Sequence, residues 1–495
     1  MNKRLIRAGV VLLGLCVFLG GQISGIASIV FGSNWLNSPE KARAAISAEN
    51  SIFLPVITKY FPFTTPFGAD MGKIIPANGL YQMTAVGTSW LRGANVRWSE
   101  IEPNKNDRKW AILKNLNAQL ASANRQGLKV IVTVTSTPTW AQKVSGYYCG
   151  PIKDTEFAAF AAFMRDLVSR YSVEPYNVKY WELWNEPDVL LGAVEPRSVF
   201  GCWGADEPYF GGGYFASMLK AVYPVIKSAD PDAQVVVGGL LLDCNPSGGC
   251  GSSDPRPPKF LEGILRHNGD NDGGDYFDGV SFHAYDYYSG SLGRYVNPKW
   301  NSNQSTGPAV IAKANYLLSL LNNPDFGAPG KFLMNTETAL ICGKADDPPG
   351  QPPCSTQPNS AFEKTKAYYV AQVYAAGQAL NLKASIWYSV FGWRNSSLLN
   401  TDLSIRPAYT AYGVARRELL NSNLARPIWE YPYIQGYEFN RVDRRVWVVW
   451  SSDGNTHAID LPGSPLRIYN ALGSVVPIVD PLVVSGIPLY LEWTP

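Results

Sequence analysis

Residues 178–187 read VKYWELWNEP, an apolar run that ends abruptly in Asn185, Glu186 and Pro187. A short segment rich in aromatic and β-branched residues, with little alternation, reads as a strand buried on both faces of a parallel sheet. Pro187 has no N–H to offer a ladder, so the strand cannot simply continue through it. The polar pair Asn185-Glu186 is thus left where a buried strand emerges.

Similar runs recur on both sides of this one. They are Ala94–Trp98, Lys129–Thr135, Gln234–Gly238, Gly279–His283, Phe332–Asn335 and Ala384–Tyr388, with a first member near Phe61–Phe67. Helical patterns lie between them. Phe157, Phe160, Met164, Leu167, Val168 and Tyr171 recur at helical spacing, and Ser360 with Glu363 forms a capping-box signature before Tyr369, Val373 and Leu380. Comparable stretches occupy 110–127, 213–228, 257–267, 309–322 and 407–421. Eight strand–helix units across 55–422 predict an α/β fold, a (β/α)8 TIM barrel with enlarged loops. A doubly wound open sheet is the alternative, but no GxGxxG follows a predicted strand.

The pattern changes near Arg426. RRVWVVWSS (444–452), LRIYNAL (466–472) and IPLYLEW (487–493) alternate between breakers, which predicts a small β-sheet domain over 426–495. Bracing the barrel and binding sugar are both open to it.

Composition removes several classes of function. Hydrophobic residues make up 46% of the 495 positions, which excludes disorder as a description of the chain. Net charge is only +3 and no long basic run occurs, so nucleic acid is not an expected partner. The three histidines, His267, His283 and His457, with no HExxH or CxxC, argue against a multi-histidine metal site.

Residues 1–45 have a targeting layout. Lys3, Arg4 and Arg7 precede an apolar stretch from Ala8 to about Phe31, broken by Gly20, Gly21, Gln22 and Ser24. This predicts export, with a signal peptide or a membrane anchor plus linker, and so a secreted or envelope-anchored protein. ARAA at 42–45 offers a late cleavage site, and Leu15 before Cys16 is too bulky for a typical lipoprotein box. Without Cys16 six cysteines remain: Cys149, Cys202, Cys244, Cys250, Cys342 and Cys354. Export suggests three disulfides among 15 possible connectivities. The expectation is local pairs 244–250 and 342–354, leaving 149 with 202; buried free thiols are the alternative.

Glu186 ends the fourth predicted strand, and Asn335-Thr336-Glu337 ends the seventh. They lie 151 residues apart in sequence, yet a barrel brings the ends of those strands to one cleft. Cleavage of a glycosidic bond needs two such groups, one carboxyl as acid and the other as nucleophile or base. Asn185 supplies an amide able to donate to a sugar hydroxyl.

WNEP after strand four and a glutamate after strand seven resemble the clan A glycoside hydrolases, retaining (β/α)8 enzymes. VRWSEIEP, Trp110 and VTSTPTWA, between Val96 and Ala141, resemble the cellulase-like family and the family of β-xylosidases and α-L-iduronidases. The similarity covers roughly 60–420. It implies a retaining β-glycosidase with Glu186 as general acid/base and Glu337 as nucleophile, acting on an oligo- or polysaccharide without metal or organic cofactor. It also implies substrate-site roles for several others. Arg97 resembles the clan's arginine beside the nucleophile, and Tyr285 the tyrosine that hydrogen-bonds it. Trp387 resembles the tryptophan floor of the cleaved sugar's subsite, where indole stacks on C–H faces. Trp140 could do likewise, and His283 would contact substrate.

Blander readings stand beside these. Arg97 could form a structural salt bridge and His283 a packed core. Glu182 reads as a barrel-interior group, Glu100 and Glu102 as helix-start or salt-bridge groups, and Asp243 and Asp286 as possible substrate ligands. A Ser-His-Asp hydrolase lacks its GxSxG elbow. The rival functions are a transglycosylase on the same site and a non-catalytic carbohydrate-binding envelope protein.

Overall fold

The computed structural model describes residues 65–301, 307–343 and 359–495. The targeting segment and linker expected at 1–45, the stretch 61–64 of the first predicted strand, and Cys354 lie outside the described residues. Eight strands run parallel: β1 (Phe67–Asp70), β2 (Trp90–Arg97), β3 (Lys129–Thr135), β4 (Tyr180–Leu183), β5 (Gln234–Leu240), β6 (Gly279–Tyr288), β7 (Phe332–Ile341) and β8 (Ala384–Trp387). Their order is β5-β4-β3-β2-β1-β8-β7-β6, and pairing of β5 with β6 closes the ring. Helices α1 (Leu80–Ala85), α2 (Lys114–Arg125), α3 (Phe157–Tyr171), α4 (Gly212–Ala229), α5 (Phe260–Arg266), α6 (Ala309–Leu321), α7 (Ser360–Ala379) and α8 (Pro407–Leu419) alternate with them. This is a (β/α)8 barrel, and a closed ring has no unpaired edges.

Local chemistry sets the elements. The apolar positions expected on α3 are all buried. At the start of α7 the cap is Asn359, whose Oδ1 accepts the Phe362 N–H at 2.8 Å. Ser360 is therefore the first helical residue, and Glu363 pairs with Lys366 and Arg406 instead of closing a capping box. Strand β2 begins four residues before the expected start, and β7 continues six beyond the expected end.

Inside the barrel the strands stack side chains in layers. Trp90, Ile131, Val236, Met334, Ala384 and Ile386 form a dry lower plug, with Tyr180 and Phe332 against it. Two residues further along β2, β3 and β4 stand Arg92, Thr133 and Glu182, so the next layer is polar. The site is built on that second layer, at the C-terminal ends of the strands.

Strands β9 (Asn423–Ile428), β10 (Ile434–Asn440), β11 (Arg445–Ser451), β13 (Arg467–Asn470) and β15 (Leu489–Trp493) make an antiparallel sheet; β12 (His457–Ile459) pairs with β14 (Leu482–Val484). Alternation along β11 divides its faces. Val446, Val448 and Trp450 join the barrel's core, while Trp447 and Val449 face a separate core completed by Ile459, Leu482 and Val484. The barrel and this sheet belong to one compact unit, Phe63–Pro495.

Candidate active site

Two irregularities in the barrel decide which side chains enter the cleft. Pairing of β2 with β3 slips between Leu91 and Ala94. Gly93 lies at φ +111°, and a Cβ there would stand 2.9 Å from the Gly72 nitrogen. The extra residue changes the parity of the strand, so Trp90 and Arg92 point inward before the bulge, and Asn95 and Arg97 reach the cleft after it. In β7, pairing with β6 steps from Asn335 directly to Glu337. Strict alternation from Met334 would aim Thr336 inward; the slip delivers Glu337.

At the end of β4 the chain turns through left-handed conformations, with φ 71° at Trp184 and 51° at Glu186. Such geometry is uncommon for residues other than glycine and clusters at functional sites. Trp184 packs edge-on against Phe160 and Trp203, and its Nε1 donates to the Cys149 carbonyl at 3.0 Å. Glu186 is left facing its partners, its N–H bonded to the Gly239 carbonyl at 2.9 Å.

The carboxylates converge. A carboxylate oxygen of Glu186, one of Glu337 and a ring nitrogen of His283 all lie within 4.8 Å of one another. His283 Nδ1 is 2.8 Å from Glu186 Oε1 and 3.5 Å from Glu337 Oε2. Glu337 is held from two sides, by Arg92 Nη1 on Oε1 and by the Tyr285 hydroxyl on Oε2. Arg92 also donates to Asn185 Oδ1 at 2.6 Å and to Glu182 Oε2 at 2.9 Å.

Glu182 is fully buried and receives the Thr133 and Ser281 hydroxyls, each at 2.7 Å. Burial would raise its carboxyl pKa, but the Arg92 charge, His283 and the hydroxyl donors outweigh that and hold it below the usual value. Its role is structural, as its depth in the strand suggested. Burial would lower the His283 pKa, yet the Glu337 and Glu186 charges raise it on balance. Burial and the adjacent Glu337 drive the Tyr285 phenol well above its ordinary value, so it serves as a hydrogen-bond donor. Asp70, at the end of β1, is pushed up to about 6 by burial, against the pull of Arg92.

Of the residues singled out from sequence, Glu186, Glu337, Asn185, His283 and Tyr285 are brought together. Four expectations need correction. Arg97 reaches the cleft wall but pairs with Glu100 at 3.0 Å, and Arg92 occupies the place beside Glu337. Trp387 is fully buried against Tyr369, its Nε1 donating to the Ser396 carbonyl at 2.9 Å; Tyr388, the next residue, lines the cleft. Trp140 packs edge-on against Trp98, with Nε1 on the Glu102 carbonyl at 3.0 Å, and is absent from the cleft lining. His283 is fully buried, so it braces the two carboxylates and presents no surface to a sugar.

The other acids are engaged elsewhere. Asp286 accepts the Ala309 N–H and the Tyr369 hydroxyl, and Asp243 pairs with Lys299. Glu102 takes Trp98 Nε1 and Arg108. Disulfides join Cys149 to Cys202 and Cys244 to Cys250, as expected; the pairing of Cys342 with Cys354 falls outside the described residues. No helix of the described residues is long and apolar enough to cross a membrane.

A (β/α)8 barrel with one glutamate following β4 and another on β7, close to each other beside a cleft of about 300 Å³, defines the class of the clan A glycoside hydrolases. Within that class the chain belongs to the cellulase family, glycosyl hydrolase family 5, whose model matches residues 68–319, just over half its length. Glu186 lies inside the matched range and Glu337 beyond it. Among solved structures, a family 39 glycoside hydrolase from the gut symbiont Bacteroides cellulosilyticus WH2 is similar at TM-score 0.62 and 19% identity, over 87% of this chain and 81% of that one. A conserved exported protein from Bacteroides fragilis follows at 0.57 and 13%, over 86% and 97%. A family 30 endoxylanase from Clostridium papyrosolvens C71 is similar at 0.53 and 14%, over 88% and 97%. At such identities the likeness is one of fold. No curated protein matches the chain.

Proposed function

We propose that this protein is an exported retaining glycosidase that hydrolyses β-linked glycans by double displacement. The observation that carries the reading is the closeness of Glu186 and Glu337, one oxygen of each lying no more than 4.8 Å from the other. Retaining enzymes hold their carboxyl groups about 5–5.5 Å apart, whereas inverting ones leave about 6.5–9.5 Å for a water.

Glu337, with Arg92 and Tyr285 donating to its two oxygens, is arranged to accept and not to donate, which suits a nucleophile. It attacks the anomeric carbon while Glu186 protonates the departing oxygen. A covalent glycosyl ester forms on Glu337. Glu186, now a carboxylate, takes a proton from water, and that water releases the sugar with its original configuration. His283 holds Glu186 and Glu337 in register through Nδ1. Asn185, fixed by Arg92, lies beside them for a sugar hydroxyl. The disulfides agree with export to an oxidising compartment.

The test is turnover of aryl β-glycosides and of glucan, mannan and xylan oligosaccharides, with the product anomer followed by NMR. Glu337→Gln should lose about 10⁴-fold or more in kcat. Glu186→Ala should lose most on substrates with poor leaving groups and least on nitrophenyl glycosides. An inverted product, or full activity in Glu337→Gln, would overturn the reading. Products longer than the starting oligosaccharide would assign the same site to transglycosylation.

A further inference from the structure

The wall of the cleft between β3 and β4 carries a cation that the hydrolytic chemistry does not use. Arg197, on the loop after β4, is exposed and lines the cleft together with Tyr148, Asn185 and Glu337. Three arginines line it among the described residues. Arg92 is committed to Glu182 and Glu337, and Arg97 to Glu100. Arg197 has no carboxylate partner among the described residues.

The side chain is nevertheless held. Its guanidinium carbon stands 4.1 Å from the centroid of the Tyr148 ring. A guanidinium held over an aromatic face by cation–π attraction still has N–H groups to donate in its own plane.

Both halves of this stack are anchored beside a crosslink. Cys149, next to Tyr148, is bonded to Cys202, and its N–H donates to the carbonyl of Pro196, the residue before Arg197, at 3.3 Å. The same loop is tied to the chemistry: the Val199 carbonyl accepts from Asn185 Nδ2 at 3.2 Å, and the Gly201 N–H donates to the Asn185 carbonyl at 2.6 Å. An arginine fixed before a ligand arrives gives up less conformational freedom on binding it.

Resting on the glycosidase reading, we infer that the cleft selects glycans bearing an anionic group beside the scissile bond, a uronic-acid carboxylate received by Arg197. The guanidinium fork matches a carboxylate in two parallel hydrogen bonds. A sulfate ester presents similar oxygens, so the experiment separates the two.

Binding is measured by calorimetry in a Glu337→Gln background, which needs no turnover. The probes are cello-, xylo- and mannotetraose, each plain, with one glucuronic acid, or with one sulfate ester. The glucuronic form of at least one backbone should bind about tenfold or more tightly than the plain form, the worth of one charge-assisted pair. Adding Arg197→Ala should abolish that ratio, Arg197→Lys should keep part of it, and raising salt should shrink it. Equal affinity for plain and acidic forms, a preference that survives Arg197→Ala, or no binding by any probe would overturn the inference. A preference for the sulfate form alone would overturn the carboxylate assignment. Plain substrates cleaved by the unsubstituted protein with no acidic preference would sink this inference and leave the glycosidase reading standing. Acid-selective binding without cleavage of any probe would do the opposite.

Discussion

Two layers of the barrel interior, one step apart on the same strands, obey opposite rules. In the lower one Trp90, Ile131 and Met334 fill the space with apolar atoms. In the upper one Arg92 gathers Glu182, Asn185 and Glu337, with Thr133 and Ser281 closing round Glu182. The lower layer is held by packing, where cost follows lost contact area and cavity volume. In the upper layer each charge is tolerable only while its partners stay in place, because a buried ion stripped of its partner is costly. One end of the barrel therefore secures the fold, and the other uses that security to hold groups that would not otherwise stay buried.

The largest expected effect comes from removing the centre of the upper layer. Arg92→Ala should cost about 10²–10³-fold in kcat on an aryl β-glycoside, the range for a lost electrostatic donor at a reaction centre. It should also cost about 3–5 kcal/mol of stability, since Glu182 is then buried without its cation. Urea unfolding and initial rates on the same preparation measure both. Loss of activity at unchanged stability would mean that Glu182 is satisfied by its hydroxyl donors alone, and the two layers would differ less than argued.

A lower-layer substitution should separate the two quantities. Met334→Ala removes a fully buried side chain from the dry plug and should cost about 2–5 kcal/mol. Turnover, measured well below the lowered Tm, should stay near that of the parent protein. A fall in kcat comparable to that of Arg92→Ala would break the comparison, by showing that the plug sets the positions of the carboxylates.

The sequence displayed the lower layer better than the upper. Its strands are apolar runs, and Lys129–Thr135 is found with the expected bounds. The glutamates were legible because each follows such a run. Arg92 was not, because the predicted strand began at Ala94 and so placed an arginine at its end, at Arg97. The available signal was Gly93 inside the run WLRGANV, since a glycine within a strand marks a bulge. At β8 the lesson is parity. Ala384 and Ile386 point inward, so period two selects Tyr388 for the cleft and sends Trp387 outward into Tyr369. Arg197 sits on a loop, where no periodicity assigns a direction; its stack on Tyr148 is a tertiary contact.

The smallest expected effect is the most diagnostic, because only the upper layer should respond to pH. Asp70 is buried there with its pKa pushed up to about 6, whereas in the unfolded chain it titrates near 3.8. Between those values the folded protein holds a proton that the unfolded chain has released, so stability falls as pH rises through this window and levels off above it. Fully developed, the term is about 3 kcal/mol at most. Asp70→Asn cannot titrate, so relative to the parent it should gain stability between pH 4 and pH 7. Met334→Ala should show a constant difference from the parent over the same range. Chemical denaturation at four pH values decides it: parallel curves for the parent and Asp70→Asn would mean that Asp70 is ionised in the fold, paired to Arg92, and that the upper layer carries one more fixed negative charge than argued.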